Sequence, residues 1–387
     1  MNQQDFSNYI VEAKKHTLKT IVPKIVVGGV CGAGKSSLLN AIVRGRAFEI
    51  DPSKPCTRNN DETQINAGDA PIRFMDSPGF SEADKESQDY AGNIRRLVSE
   101  EAHLYLLVIG APNRSLDVEN KWLNAAHTEE MFSKIPGLVA INKIDIVQPT
   151  RDWNPDKLNL ANPVTPKEKN IVDYMKYVSE ISEFRRFAAQ DMMIPVSAGE
   201  SFDDPLQYNI VTLRKRMFDL LPDAAKIEFA RQVYMQQKAA EIIINRYAIA
   251  VAAEVLINPL ALGSDALIIV PMQIAMTIHI AKIYGQNITW SFAASLFGTM
   301  AATFVGRTIA STIIGLIPIV KNIAGPAVAY GLTRALGMGL TEIFASNLAS
   351  GSQEVIESIA RKYADSIKIY SEECPDKKTL IAGRSLD

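Results

Sequence analysis

Residues Gly29 to Ser36 read Gly-Val-Cys-Gly-Ala-Gly-Lys-Ser, two glycines separated by four residues and followed at once by Lys and Ser. These residue types in this spacing suit a polyphosphate. The glycines let the backbone N–H groups of Val30, Cys31, Gly32, Ala33 and Gly34 turn inward around phosphate oxygens. A helix that opens at Lys35, Ser36 and Ser37 adds the partial positive charge of its N-terminus. Lys35 is placed to reach the β- and γ-phosphates, and the Ser36 hydroxyl to ligate Mg²⁺. The flanking sequence supplies the required elements: an apolar run, Ile25-Val26-Val27, precedes the loop, and Leu38-Leu39-Asn40-Ala41-Ile42 continues it as a helix.

Further along, Asn142-Lys143-Ile144-Asp145 follows a second apolar run ending at Ile141. A carboxylate at Asp145 can accept from both N1–H and the exocyclic amine of guanine. Adenine has no such donor pair and would leave the charge unpaired, which discriminates strongly. Asn142 and Lys143 brace this turn, with the Lys stem over the base. Met193 to Gly199 ends another strand in a small-residue turn, where the backbone at Ser197 and Ala198 can meet the guanine carbonyl oxygen. Between these pieces, Ile72 to Met75 reads as a strand ending in Asp76-Ser77-Pro78-Gly79. Asp76 can hold Mg²⁺ through water, and the Gly79 N–H can sense a γ-phosphate. Upstream, Pro55-Cys56-Thr57-Arg58 offers Thr57 as a further Mg²⁺ ligand, with Thr63 as the neighbouring alternative.

These five elements in this order resemble the translation-factor-like GTPases, in the branch containing Era, TrmE, EngA and the septins. The resemblance covers about residues 22 to 222. It implies GTP and GDP as ligands, Mg²⁺ as the metal held by Ser36, Thr57 and Asp76, and slow hydrolysis involving Lys35, Thr57 and Gly79. Two departures bear on mechanism. Phe80 follows Gly79 where Ras-like members carry a water-orienting Gln, so turnover needs another group, needs a partner, or is very slow. Gly32 stands where potassium-stimulated members carry Asn, which argues against potassium activation. Cys31, where Ras-like proteins have a second glycine, either crowds an entering arginine finger or is simply a small residue tolerated there.

The elements that must position these groups alternate along the chain. Strand patterns fall at Lys24–Gly29, Thr63–Ala67, Ile72–Asp76, Leu104–Ile109, Leu138–Asn142 and Met193–Ser197. Helical patterns separate them at 35–44, 85–101, 116–132, 166–189 and 203–221. The expected fold is therefore α/β, a doubly wound, mainly parallel sheet of the P-loop type, followed by an all-α, strongly apolar domain. Residues 148–166, rich in Pro, Asn and Asp, read as a surface insertion of unknown role. The expected division is an N-terminal amphipathic helix over 1–21, a GTPase domain over 22–222, a helical domain over 223–370 and a flexible tail over 371–387.

At 387 residues the chain has room for two domains, and 41 basic against 43 acidic residues give a net charge of −2, which does not indicate nucleic acid as a partner. Three cysteines, one inside the phosphate loop, make no disulfide framework and fit a reducing, cytoplasmic setting. The first twenty residues lack the layout of a secretory leader.

From Tyr247 to Ser350 the chain is dominated by Ala, Ile, Leu, Val, Gly and Met. Crossing a bilayer takes about 20 predominantly apolar residues. The longest uncharged run, Ile283 to Gly306, has a polar entry half, and Lys282, Arg307 and Lys321 interrupt the rest. A buried bundle is favoured, and His279 is expected to be a satisfied core histidine. The pattern over about 250–350 is similar to an uncharacterised helical domain often fused to bacterial Era-like GTPases. Two functional readings follow. In the first, a GTP-hydrolysing switch is read out by the helical domain. The alternative is a GTP-gated module that dimerises through its nucleotide face or associates with the inner-membrane surface, as dynamin-like and immunity-related GTPases suggest by analogy.

Overall fold

Apolar β-branched runs build the centre of the first unit. In the computed structural model, which describes residues 11–16, 20–45, 63–67, 70–76, 90–257, 266–304, 325–348 and 351–385, six strands form one sheet: β1 (Lys24–Gly28), β2 (Thr63–Ala67), β3 (Ala70–Asp76), β4 (Leu104–Gly110), β5 (Gly137–Asn142) and β6 (Met193–Pro195). Their order is β2-β3-β1-β4-β5-β6. β3, β1, β4, β5 and β6 run parallel, and β2 pairs antiparallel at the edge. Every residue from Leu104 to Ile109 is buried, as are Leu138 to Ile141. Burial of both alternating sets means that both faces of the sheet are covered, as a parallel sheet requires.

The chain passes from β1 to β3 on one side and later to β4 on the other. β1 thus sits where the strand order reverses, the place at which such sheets leave a crevice beyond their C-terminal ends. Register pairs Val27 with Asp76 and Gly110 with Asn142. The segments after β1, β3, β4 and β5 therefore leave the same sheet edge.

The helices of this unit are α1 (Lys35–Val43), α2 (Tyr90–Ser99), α3 (Asp117–Thr128), α4 (Pro166–Glu180), α5 (Arg185–Ala189), α6 (Ile210–Leu220) and α7 (Asp223–Gln232). α1 is fixed at its far end by Arg214 of α6, whose buried guanidinium donates to the carbonyls of Ile42, at 2.8 Å, and Ala41. A cation suits the partial negative charge of that terminus. Burial and the nearby Arg44 bring the Arg214 pKa down to about 10.

Several expected helices are divided. The pattern 166–189 breaks at Ile181, which is extended and ends α4. The pattern 203–221 starts as a helix only at Ile210, because Asp204 accepts from the backbone N–H groups of Glu200 and Leu206 and holds a turn instead. The last helix of this unit, α7, ends just before Tyr234, whose φ of +59° breaks the helical run. The expected switch residues Thr57, Gly79 and Phe80 lie outside the described residues.

Contacts divide the chain into one unit of Ile21–Tyr234 and another of Met1–Thr20 with Met235–Asp387. The second unit holds α8 (Gln236–Ile257), α9 (Ala266–Ile283), α10 (Trp290–Phe304), α11 (Pro326–Ala345), α12 (Gln353–Ala364), α13 (Ile367–Glu372) and α14 (Lys377–Ala382). α8 and α11 cross closely because Gly337 faces Ile244, where a Cβ would stand 2.5 Å from Ile244 Cγ1. α14 corrects the expectation of a frayed tail: its Leu380 is buried with Ala248, Ala252 and Tyr330, and Asp376 caps its first turn. None of the described helices is long and apolar enough to cross a membrane.

Two pairs of buried polar side chains sit in this unit. Gln273 donates to Thr333 Oγ1 at 2.9 Å. Tyr247 Oη lies 2.5 Å from the His16 carbonyl and 2.9 Å from His279 Nδ1. A hydroxyl has one proton, and the carbonyl can only accept, so Tyr247 donates to His16 and His279 donates from Nδ1. His279 is thereby a satisfied core histidine, as expected, and burial brings its pKa down to about 4.

The sign follows from linkage. The unfolded chain takes up a proton near pH 6.5 and the folded one only near 4, so stability is complete above 6.5 and falls as the pH drops through that window. Replacing His279 by Gln is expected to flatten this loss, worth about 3 kcal/mol at most. Chemical denaturation between pH 7 and 4 on both proteins measures it.

Candidate nucleotide-binding site

The loop after β1 is shaped by its glycines. Gly29 has φ +139°, and a Cβ there would stand 2.2 Å from the Val108 carbonyl oxygen of β4. Gly34 has φ +85°, and a Cβ there would stand 2.5 Å from Asn142 Nδ2. No other residue fits at either place without moving a neighbouring strand end. Lys35 Nζ folds back onto the Gly29 carbonyl at 2.6 Å and the Val30 carbonyl at 3.4 Å. The ammonium is thus held by the carbonyls of the same loop.

Asn142 joins this loop to the others. Its Nδ2 donates to the carbonyls of Ala33 at 3.1 Å and Gly34 at 3.3 Å, and its Oδ1 accepts from the Ala198 N–H at 3.3 Å. It is 1 % exposed. Lys143, in the left-handed region at φ 62°, sends Nζ to the Gly32 carbonyl at 2.7 Å. Asp145 Oδ1 accepts from Ser197 Oγ at 2.7 Å. The Ser197–Tyr208 bridge and Gln207, which donates to the Ala198 and Ser201 carbonyls, hold that last turn. The structure therefore brings together Gly29 to Ser37, Asn142, Lys143, Asp145, Ser197 and Ala198. Asp76 ends β3 at the same sheet edge.

The loop end gathers the Lys35 and Lys143 ammonium groups beside the start of α1, and the other end offers the Asp145 carboxylate. Such a pair of ends matches a phosphate at one side and a base with two adjacent donors at the other. For Mg²⁺, the loop offers the Ser36 hydroxyl, and Asp76 is the last residue of β3. A hydroxyl is a hard oxygen ligand of the kind Mg²⁺ takes beside substrate phosphates. Among the described residues no group of three or more His, Cys, Asp or Glu forms a metal-binding cluster on its own.

A family profile described as 50S ribosome-binding GTPase matches residues 24–143, and a domain of unknown function (DUF697) matches residues 223–354. The chain is 31 % identical over 212 residues to the uncharacterized protein YkfA of Escherichia coli K12, covering 55 % of this chain and 67 % of that protein. The chain is an Era-like P-loop GTPase with a DUF697 domain behind it. It is 27 % identical over 168 residues to the GTPase Era of Elusimicrobium minutum, covering 43 % of this chain and 54 % of that one. The chain thus spans about two thirds of YkfA and about half of this Era. A crystal structure of Era in complex with MgGDPNP and nucleotides 1506–1542 of 16S ribosomal RNA is similar at 20 % identity and a TM-score of 0.34, covering 59 % of this chain and 67 % of that one.

Three residues of this GTPase gave no signal in the sequence reading. Lys167, in the first turn of α4, is buried and donates to the carbonyls of Asp145 and Val147. Trp153 of the insertion lies over it, 5.4 Å from ring centroid to Nζ, and donates Nε1–H to the Leu206 carbonyl at 3.2 Å. Burial lowers the Lys167 pKa, against the pull of Asp145 and Asp152. Glu168 gathers the N–H groups of Asn159, Val164 and Thr165 at 2.9, 2.9 and 2.8 Å and closes a capping box with Thr165. The Thr-Pro-Lys-Glu run at 165–168 is the signal that could have revealed this cap.

Those backbone donors, led by Thr165, bring the Glu168 carboxyl down to about pKa 2 from 4.5. A lowered carboxyl stabilises above its unfolded pKa and loses that effect as the pH falls from 4.5 toward 2. Glu168→Gln is expected to loosen the insertion already at pH 7. The check is quenching of Trp153 emission by acrylamide, with Trp153→Phe as the blank: quenching rises in Glu168→Gln at pH 7, whereas the native chain, whose folded carboxyl titrates only near 2, keeps its low quenching down to pH 4.

Proposed function

We propose that this GTPase binds GTP and GDP with Mg²⁺, hydrolyses GTP slowly and acts as a nucleotide-dependent switch read out by its helical domain. The observation that carries the reading is the Asn142 tie, which holds the phosphate loop and the Asp145–Ser197 turn as one site. Val30 to Ser37 would hold the phosphates, with Lys35 leaving the Gly29 carbonyl for the β- and γ-oxygens. Asp145 would accept from the guanine N1–H and amine, and Ser197 keeps that carboxylate aimed. Ser36, Thr57 and Asp76 would hold Mg²⁺, which supplies charge neutralisation at the phosphates when bound. The Gly79 N–H would register the γ-phosphate. Phe80 cannot accept from or donate to a water, so turnover by the chain alone is expected on the order of 10⁻³ s⁻¹ or below.

Two measurements test the reading. Lys35→Ala removes a charge-assisted contact and should weaken GTP binding by about 10- to 100-fold. Asp145→Asn replaces an acceptor by an amide that can donate, so it should lose guanine nucleotides and gain xanthine nucleotides, whose ring bears a carbonyl in place of the amine. Unchanged GTP affinity in Lys35→Ala, or unchanged base preference in Asp145→Asn, would contradict the assignment.

A further inference from the structure

Lys167 is 1 % exposed although it carries a charge. It lies in the first turn of α4, where the helix dipole disfavours a cation. Burying an ammonium is costly unless its donors are used. Here they are used on one short turn. Nζ donates to the carbonyls of Asp145 and Val147, with the Trp153 ring shielding it from water. That turn, a single 3₁₀ stretch over Ile144–Ile146, follows the left-handed Lys143 and carries the base-reading carboxylate. Lys167 makes no hydrogen bond to the phosphate loop, which is held by Lys35, Asn142 and Lys143. Its influence is thus confined to the base end.

We propose that Lys167 is a positioning residue for base selectivity. Fixing both carbonyls of the turn sets the Asp145 carboxylate so that N1–H and the 2-amino group of guanine are met together. Ser197 fixes one carboxylate oxygen from the side, and Lys167 fixes the backbone beneath it. Trp153 completes the arrangement by closing the Lys167 site, which gives the 148–166 insertion a role in the same function.

The inference rests on the guanine reading above, and the test separates the two. Affinities for GDP and IDP are measured on the full chain and on Lys167→Met. IDP keeps the phosphates and N1–H but lacks the 2-amino donor. One hydrogen bond to a charged acceptor corresponds to about 10- to 100-fold. In Lys167→Met the GDP-over-IDP ratio is expected to fall by about tenfold, while IDP affinity stays within about threefold of the native value. A general loss of structure would instead weaken both ligands together. If Lys167→Met does not fold, Lys167→Gln keeps an N–H donor and should show the same fall, by less. A ratio unchanged in a folded variant, or equal losses for GDP and IDP, overturns the role of Lys167. A native chain with no preference for GDP over IDP overturns the guanine reading itself, and Lys167's role with it.

Discussion

One carboxamide holds the site together. Asn142 lies at the end of β5, where its Nδ2 reaches two carbonyls of the phosphate loop and its Oδ1 takes the Ala198 N–H. Without it the three loops leaving the sheet edge would be separate segments, each free to move on its own. With it, the distance between the phosphate end and the base end is set by a side chain that is itself buried. The requirement runs back into the sequence. Gly34 has no Cβ because Asn142 Nδ2 occupies that space, and Gly29 has none because the Val108 carbonyl does.

The charges follow the same plan. Three ammonium groups rest on backbone carbonyls rather than on carboxylates: Lys35 on Gly29 and Val30, Lys143 on Gly32, and Lys167 on Asp145 and Val147. A carbonyl holds a cation in place without cancelling its charge, so the crevice keeps a field suited to an anion. The base-reading acid, Asp145, accepts from a neutral hydroxyl, that of Ser197. The helical unit uses the opposite solution. Its buried polar groups, Tyr247, His279, Gln273 and Thr333, are neutral and paired with one another.

The sheet and the phosphate loop were legible because their signals are local. Apolar runs at strand length mark β1, β4 and β5, and the loop needs its glycines at fixed offsets. Asp145 and Ser197 were legible by chemistry, as an acid and a small turn residue after strands. The breaks in the helices were not. Ile181, Tyr234 and the Asp204 turn are set by side chain-to-backbone bonds and by tertiary packing, which override a smooth helical pattern. Lys167 was hidden for a different reason. A lysine in a polar helix start looks solvated, and only the fold brings it under Trp153 and against a turn some twenty residues earlier. Leu380 was hidden likewise, since a polar tail gives no hint of the pocket formed by Ala248, Ala252 and Tyr330.

The tied loops matter to function only if they form one guanine-selective site. The direct measurement is displacement of a fluorescent GDP from the full chain, with Mg²⁺ present, by unlabelled GTP and by ATP. GTP is expected to displace it at comparable concentration and ATP not to do so at about hundredfold excess, given the unpaired carboxylate that adenine would leave at Asp145. Displacement by the two nucleotides at equal concentrations would contradict it.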